Sequence, residues 1–130
     1  MEDSIFSKII KGEIPCYKVY EDDKTLAFLD IYPTNPGHTL VIPKIQVESV
    51  WDLPAEYYAA LMDSVQKVAL RLREVTGKKY VGSKVIGTDV PHAHVHLFPF
   101  TPGEDYTKHP DTNSEPNHQA LAEMQKQLEF

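Results

Sequence analysis

Between Val90 and Phe98, three histidines (His92, His94 and His96) alternate with Ala93, Val95 and Leu97. Strict alternation is the period of a β-strand, so one face should enter a core and the other should carry the imidazoles. At a rise of ~3.3 Å per residue, neighbouring rings stand about 6.6 Å apart along the chain. Such a strand, expected over Val90–Phe98 and closed by Pro99, needs partners. Tyr17–Tyr20, Thr25–Asp30, His38–Pro43 and Lys79–Ile86 read as strands, the last weakened by Gly82. Asp22-Asp23-Lys24 predicts a hairpin, and Gly87-Thr88-Asp89 a turn before the histidines. Short connections favour antiparallel pairing.

Helical periods are fewer. Ser4 is expected to cap a short helix through Ile5, Phe6, Ile9 and Ile10 that stops at Gly12. From Pro54 to Thr76 the apolar residues Tyr58, Leu61, Val65, Val68, Leu72 and Val75 recur at steps of three and four, with Gly77 just past the end. That stripe must lie on the sheet or on a second copy of the chain. A terminal helix is predicted over 117–128, after a proline-rich loop over 101–116. The class is α+β, with five strands and two or three helices. The 130 residues form one domain, its core at about 4–100 and its loop and C-terminal helix over 101–130.

Composition narrows the function. A formal charge of −6 argues against nucleic acid as a partner, yet leaves room for a pocket that takes a small anion. One cysteine, Cys16, excludes a disulfide framework and a cysteine-based zinc knuckle. There is no apolar run of membrane-spanning length, and the start, Met1-Glu2-Asp3, lacks a signal peptide's basic character. The expectation is a cytoplasmic protein with no membrane partner.

A row of imidazoles can bind a metal or handle phosphorus. Three collinear side chains do not easily converge on one ion, so a metal would need His38 or Asp89 as a further ligand. In phosphoryl or nucleotidyl transfer, one imidazole attacks and its neighbours donate to phosphate oxygens. The plain alternative is a surface strand without a task, which the apolar alternation behind the histidines speaks against.

His92-Ala-His94-Val-His96-Leu-Phe resembles the pattern that names the histidine triad (HIT) family of nucleotide hydrolases and transferases. Ile5-Phe6-Ser-Lys-Ile9-Ile10-Lys-Gly12-Glu-Ile14-Pro15 looks like that family's N-terminal segment. Phe28-Leu29-Asp30-Ile31 with Pro36-Gly37-His38-Thr39-Leu40-Val41-Ile42-Pro43-Lys44 resembles its second signature. The likeness covers residues 4 to 100 and is closest to the nucleoside phosphoramidase branch. It implies a five-stranded antiparallel sheet with one long helix and shorter ones, and a homodimer sharing one continuous sheet.

The same resemblance implies roles. His94 would be the nucleophile, its other nitrogen bonded to a backbone carbonyl, and His96 would donate to a phosphate oxygen. His92 and His38 would form one relay behind them, and Asp30 would accept from the ribose hydroxyls. Ile5, Phe6, Ile9, Phe28, Leu29, Ile31 and Leu40 would line the slot for the base. The product would be a nucleoside monophosphate such as AMP, with no cofactor.

Two departures stand out. The stretch Lys84-Val85-Ile86-Gly87-Thr88-Asp89-Val90-Pro91 is shorter than the family's donor loop, so Thr88 and Asp89 take the donor positions. An ionised Asp89 cannot donate, and Lys84 is a possible substitute cation. Some members also hold a structural zinc through Cys-x-x-Cys and two histidines. Ser7 and Ile10 stand at those cysteines here and Gln46 at one histidine, so no metal is expected. His109 and His118 receive no task. The reading is a hydrolase acting at the α-phosphorus of phosphoramidate-type substrates. Its alternatives are a dinucleoside polyphosphate hydrolase, a nucleotide-binding module with little turnover, and a metal site. The absence of an obvious basic clamp favours a small leaving group.

Overall fold

The computed structural model describes residues 2–104, 106–107 and 110–130. The chain runs α1 (Ile5–Ile10), β1 (Lys18–Glu21), β2 (Thr25–Leu29), β3 (Thr39–Pro43), a 3-10 turn (Val50–Asp52), α2 (Ala55–Thr76), β4 (Tyr80–Lys84), β5 (Val95–Phe100) and α3 (His118–Leu128). The five strands form one antiparallel sheet in the order β1-β2-β3-β5-β4.

Local chemistry sets the boundaries. The Ser4 hydroxyl accepts the Ser7 N–H at 2.9 Å and so caps α1. In the β1–β2 turn, Asp22 Oδ1 accepts from the Lys24 and Thr25 N–H groups at 3.0 and 2.8 Å. Pro54 stands at the N-cap of α2, and Gly77 ends it in the left-handed region at φ 71°, where a side chain would be strained.

The sheet buries both faces. On one, Leu61, Val65, Val68 and Leu72 of α2 and Leu121 and Leu128 of α3 pack with Ala27, Leu29, Val41, Val95 and Leu97. Fully burying such aliphatic side chains is worth ~1.5–3 kcal/mol each, which seats the long helix. On the other face, Phe6 from α1 packs with Leu26, Phe28, Leu40 and Ile42. Val95 and Leu97 therefore anchor β5 from behind, and the intervening side chains face α1.

Several expectations need correction. The strand begins at Val95 rather than Val90, because Pro91 has no N–H to give a ladder. The Ala93 N–H instead bonds the Val47 carbonyl at 2.7 Å. The strand also runs through Pro99 to Phe100. β3 pairs β5 only as far as Leu97, so beyond it the β3-facing side of β5 has no ladder that Pro99 would break. β4 ends at Lys84, not Ile86. The apolar stripe of α2 is spent on the sheet, which leaves Tyr58 and Met62 exposed. No helix among the described residues is long and apolar enough to cross a membrane.

Candidate active site

One cross-strand row organises the face beneath α1. Phe28 on β2 stands opposite Leu40 on β3, Leu40 opposite His96 on β5, and His96 opposite Lys84 on β4. Directly opposed residues share a face. The row thus passes from two apolar side chains through an imidazole to an ammonium.

The triad is bent rather than collinear. The His94 and His96 rings lie 5.0 Å apart by their centroids. His92, ahead of the strand, turns into the protein and is fully buried. His92 Nε2 lies 2.9 Å from the Pro43 carbonyl, which can only accept, so that nitrogen carries the proton. His92 Nδ1 then accepts from the Ser4 hydroxyl at 2.8 Å. The His92 carbonyl lies 2.7 Å from His94 Nδ1, which must therefore donate. In the neutral ring His94 Nε2 is then the nitrogen with the lone pair. It makes no hydrogen bond among the described residues, although Asp89 Oδ1 lies 3.2 Å away.

A second chain of bonds runs the opposite way. The Thr34 N–H donates to His38 Nδ1 at 3.0 Å. His38 Nε2 therefore carries a proton and donates to His96 Nδ1, also at 3.0 Å. His96 Nε2 is left as an N–H at the cavity it lines. Burial holds both rings neutral: it pushes His38 down to about 3, helped by neighbouring His96, and His96 down to about 4, helped by His94. His38 bonds His96 and not His92, so two relays stand where one was expected. One offers a lone pair and the other an N–H.

All seven residues expected at the base slot line one cavity of about 260 Å³. Ile14, Pro15, Cys16 and Val90 join them. Ile14-Pro15 lies inside the N-terminal signature; Cys16 and Val90 carried no signal of their own. Ile5 and Ile31 are 50% and 41% exposed, as befits walls of an open slot rather than core. Asp30 lines this slot and also a second cavity of about 470 Å³ that contains Thr88, Lys84 and His96. Burial pushes the Asp30 carboxyl up, against the Tyr32 N–H it accepts at 2.8 Å. Pro110 and Thr112 also line the second cavity, so the 101–116 loop borders the site from its own chain. His109 lies outside the described residues. His118 Nδ1 is 2.6 Å from the Tyr17 hydroxyl, away from this cavity.

Neither of two possible metal sites fits its donors. Asp30, His38 and His96, and Asp89, His94 and His96, each bring three ligand atoms within 4.8 Å. Both His38 nitrogens are engaged, and the free nitrogen of His96 carries a proton, so the first group keeps only the Asp30 carboxylate and the second only the Asp89 carboxylate and His94 as donors. At the N-terminal corner, the pair that meets Gln46 and His92 is Ser4 and Ser7, not Ser7 and Ile10. Gln46 Oε1 accepts the Ser4 N–H at 2.7 Å and the Ser7 hydroxyl at 2.6 Å, beside His92. Zinc takes thiolate, imidazole or carboxylate. Here two neutral hydroxyls and an amide oxygen bond one another instead.

This fold and its paired histidine relays define an α+β domain with an imidazole centre between two cavities. The HIT domain profile matches residues 11–103. A purine nucleoside phosphoramidase of Escherichia coli is 42% identical over 103 residues, covering 74% of this chain and 86% of that protein. An adenosine 5'-monophosphoramidase of Schizosaccharomyces pombe is 40% identical over 103 residues, covering 78% and 77%. A Hit-like protein of Bartonella henselae superposes with a TM-score of 0.83 at 32% identity, covering 97% of this chain and 94% of its own. The chain belongs to the HIT family and is a Hint-like hydrolase within it.

Proposed function

We propose that His94 attacks the α-phosphorus of a nucleotide, forms a covalent nucleotidyl-histidine, and yields a nucleoside monophosphate such as AMP when water cleaves it. The carrying observation is His94 Nε2, a buried ring nitrogen without a hydrogen-bond partner among the described residues, backed by an Nδ1–H held at 2.7 Å by the His92 carbonyl. In the first step Nε2 bonds to phosphorus while the bond to the leaving group breaks. The His96 N–H donates to a phosphate oxygen as its charge grows. A nucleotide reaches Nε2 by displacing the exposed Asp89 carboxylate. The base occupies the slot at Phe6, Ile9 and Ile31, and Asp30 accepts from the ribose hydroxyls. Relatives named as phosphoramidases support a phosphoramidate substrate.

The test is rapid quenching of the protein with an adenosine phosphoramidate, followed by mass spectrometry. An adduct of AMP mass on His94, absent in His94→Asn, is expected; turnover without it removes the covalent route. AMP bound with no turnover of any substrate leaves a binding module.

We further propose a homodimer through the outer edge of β4, in the cytoplasm. β4 ends the sheet, and Tyr80 on it and Ile86 just past its end are exposed together with Trp51, Tyr58 and Met62. Sedimentation at micromolar concentration should give twice the chain mass.

A further inference from the structure

We infer that Lys84 makes the second cavity a subsite for an oxyanion leaving group, so that mixed anhydrides of the nucleotide are preferred to its amine derivatives. This rests on the nucleotidyl-histidine route proposed above and ranks an oxyanion leaving group ahead of the amine of a phosphoramidate. The direction comes from the cross-strand row: the base slot is at Phe28 and Leu40, the phosphate contact is at His96, and Lys84 stands one strand further out. Strands lie ~4.8 Å apart, which is the scale of one further phosphate or sulfate group. A nucleotide laid along the row therefore points its leaving group at Lys84.

The ammonium is held there and is available. It lies 5.6 Å over the Phe98 ring centroid. That ring is fixed in turn by Gly82: a Cβ at this position would come within 2.5 Å of it. Lys84 makes no ion pair among the described residues, although the carboxylates of Asp30 and Asp89 line the same cavity. Asp30 faces the ribose end and Asp89 sits at His94 Nε2, which leaves Lys84 as the ammonium at the far end. Thr88 and Thr112 add hydroxyl donors to the wall.

The chemistry separates two classes of substrate. When His94 Nε2 bonds to phosphorus, the P–O bond to a sulfate or phosphate breaks and its electron pair stays on the departing oxygen. Water then adds its hydroxide to phosphorus and loses a proton to solvent, and His94 is regenerated. The charge gathering on the departing oxygen is what an ammonium stabilises. The P–N bond of a phosphoramidate breaks with its nitrogen taking a proton from solvent, so the amine departs neutral and leaves no charge for Lys84 to stabilise.

The experiment compares kcat/KM for adenosine 5'-phosphosulfate, ADP and adenosine 5'-phosphoramidate in the wild type, Lys84→Met and Lys84→Arg. The wild type is expected to favour the anhydrides. Lys84→Met should lower the anhydride-to-phosphoramidate ratio by about tenfold or more, and Lys84→Arg should largely keep it. The sulfate and phosphate arms show which oxyanion is preferred. A ratio that does not move in Lys84→Met, or a wild type that cleaves only the phosphoramidate, overturns the subsite. A wild type that cleaves none of the three refutes the parent function instead. Should Lys84→Met fold poorly, binding in the inactive His94→Asn protein decides: ADP should bind tighter than AMP, and equal affinities reject the subsite.

Discussion

The Ser4 hydroxyl donates to His92 Nδ1 across 2.8 Å, and so reaches the proposed nucleophile through one intervening residue. His92 can then offer its Nε2–H to Pro43 and its carbonyl to His94. The same hydroxyl caps α1, whose Phe6 packs edge-on against His92 and His94 with centroids 5.9 and 5.1 Å away. One side chain thus joins the wall of the proposed base slot to the proposed attacking nitrogen. Ser4→Ala should lower kcat by about tenfold with little change in KM, because the nucleophile is misaimed while the slot persists. Loss of the cap should cost about 1 kcal/mol. Ser4→Thr, which keeps both bonds, should restore kcat. A Ser4→Ala enzyme with wild-type kcat, or a threonine variant that rescues nothing, contradicts the link.

Asp30 lines both the proposed base slot and the cavity beside His96, with one oxygen spent on the Tyr32 N–H. Its second oxygen is free to accept from ribose. Asp30→Asn exchanges a charged acceptor for a neutral amide, so KM for a ribonucleotide substrate should rise about ten- to hundredfold. A 2',3'-dideoxy substrate should show far less difference between wild type and variant. Equal effects on both substrates would remove Asp30 from the ribose role.

Much of this was legible before any coordinates. The period of Tyr58–Val75, bounded by Pro54 and Gly77, set α2 to within a residue, since proline and glycine act on the local backbone. The seven slot residues are named together by the family resemblance, and the structure brings their segments to one cavity. What stayed hidden was long-range. Alternation of His92, His94 and His96 suggested one straight row, yet Pro91 and the Val47 carbonyl pull the first histidine out of the strand. No spacing rule could pair His38 with His96, or Lys84 with His96, because sheet register decides both. The linear reading offers Lys84 as a substitute cation, but which strand lies beside β5 decides that it stands opposite His96. Gly82, read as a weakness in β4, turns out to make room for Phe98.

The buried imidazoles make stability depend on pH with a definite sign. His38 and His96 are held down to about 3 and about 4 when folded, while an unfolded histidine titrates near 6.5. Above pH ~6.5 both states are neutral at these positions and stability is complete. As pH falls below ~6.5, the unfolded chain takes up protons that the native rings refuse. Each ring then withdraws about 1.4 kcal/mol per pH unit until its folded value is reached. Thermal unfolding followed at pH 7, 6 and 5 should show Tm falling through this window, with a shallower fall in His38→Asn. A Tm that stays flat from pH 7 to 5 would mean the rings protonate in place.

Gly82 offers a test that unites the fold with the subsite. A methyl group at residue 82 would stand 2.5 Å from Phe98 Cε2 and 2.6 Å from Cζ, closer than packed carbons approach. Phe98 is itself buried and lies edge-on to His38 at 6.1 Å, so it has little room to retreat. Gly82→Ala should therefore destabilise the protein by about 1–3 kcal/mol through overpacking. Because the displaced ring also carries the Lys84 ammonium at 5.6 Å, the same change should weaken anhydride turnover more than phosphoramidate turnover. Chemical denaturation gives the first quantity and the kcat/KM ratio gives the second. Loss of stability with an unaltered ratio would show that Phe98 braces the sheet but does not place Lys84.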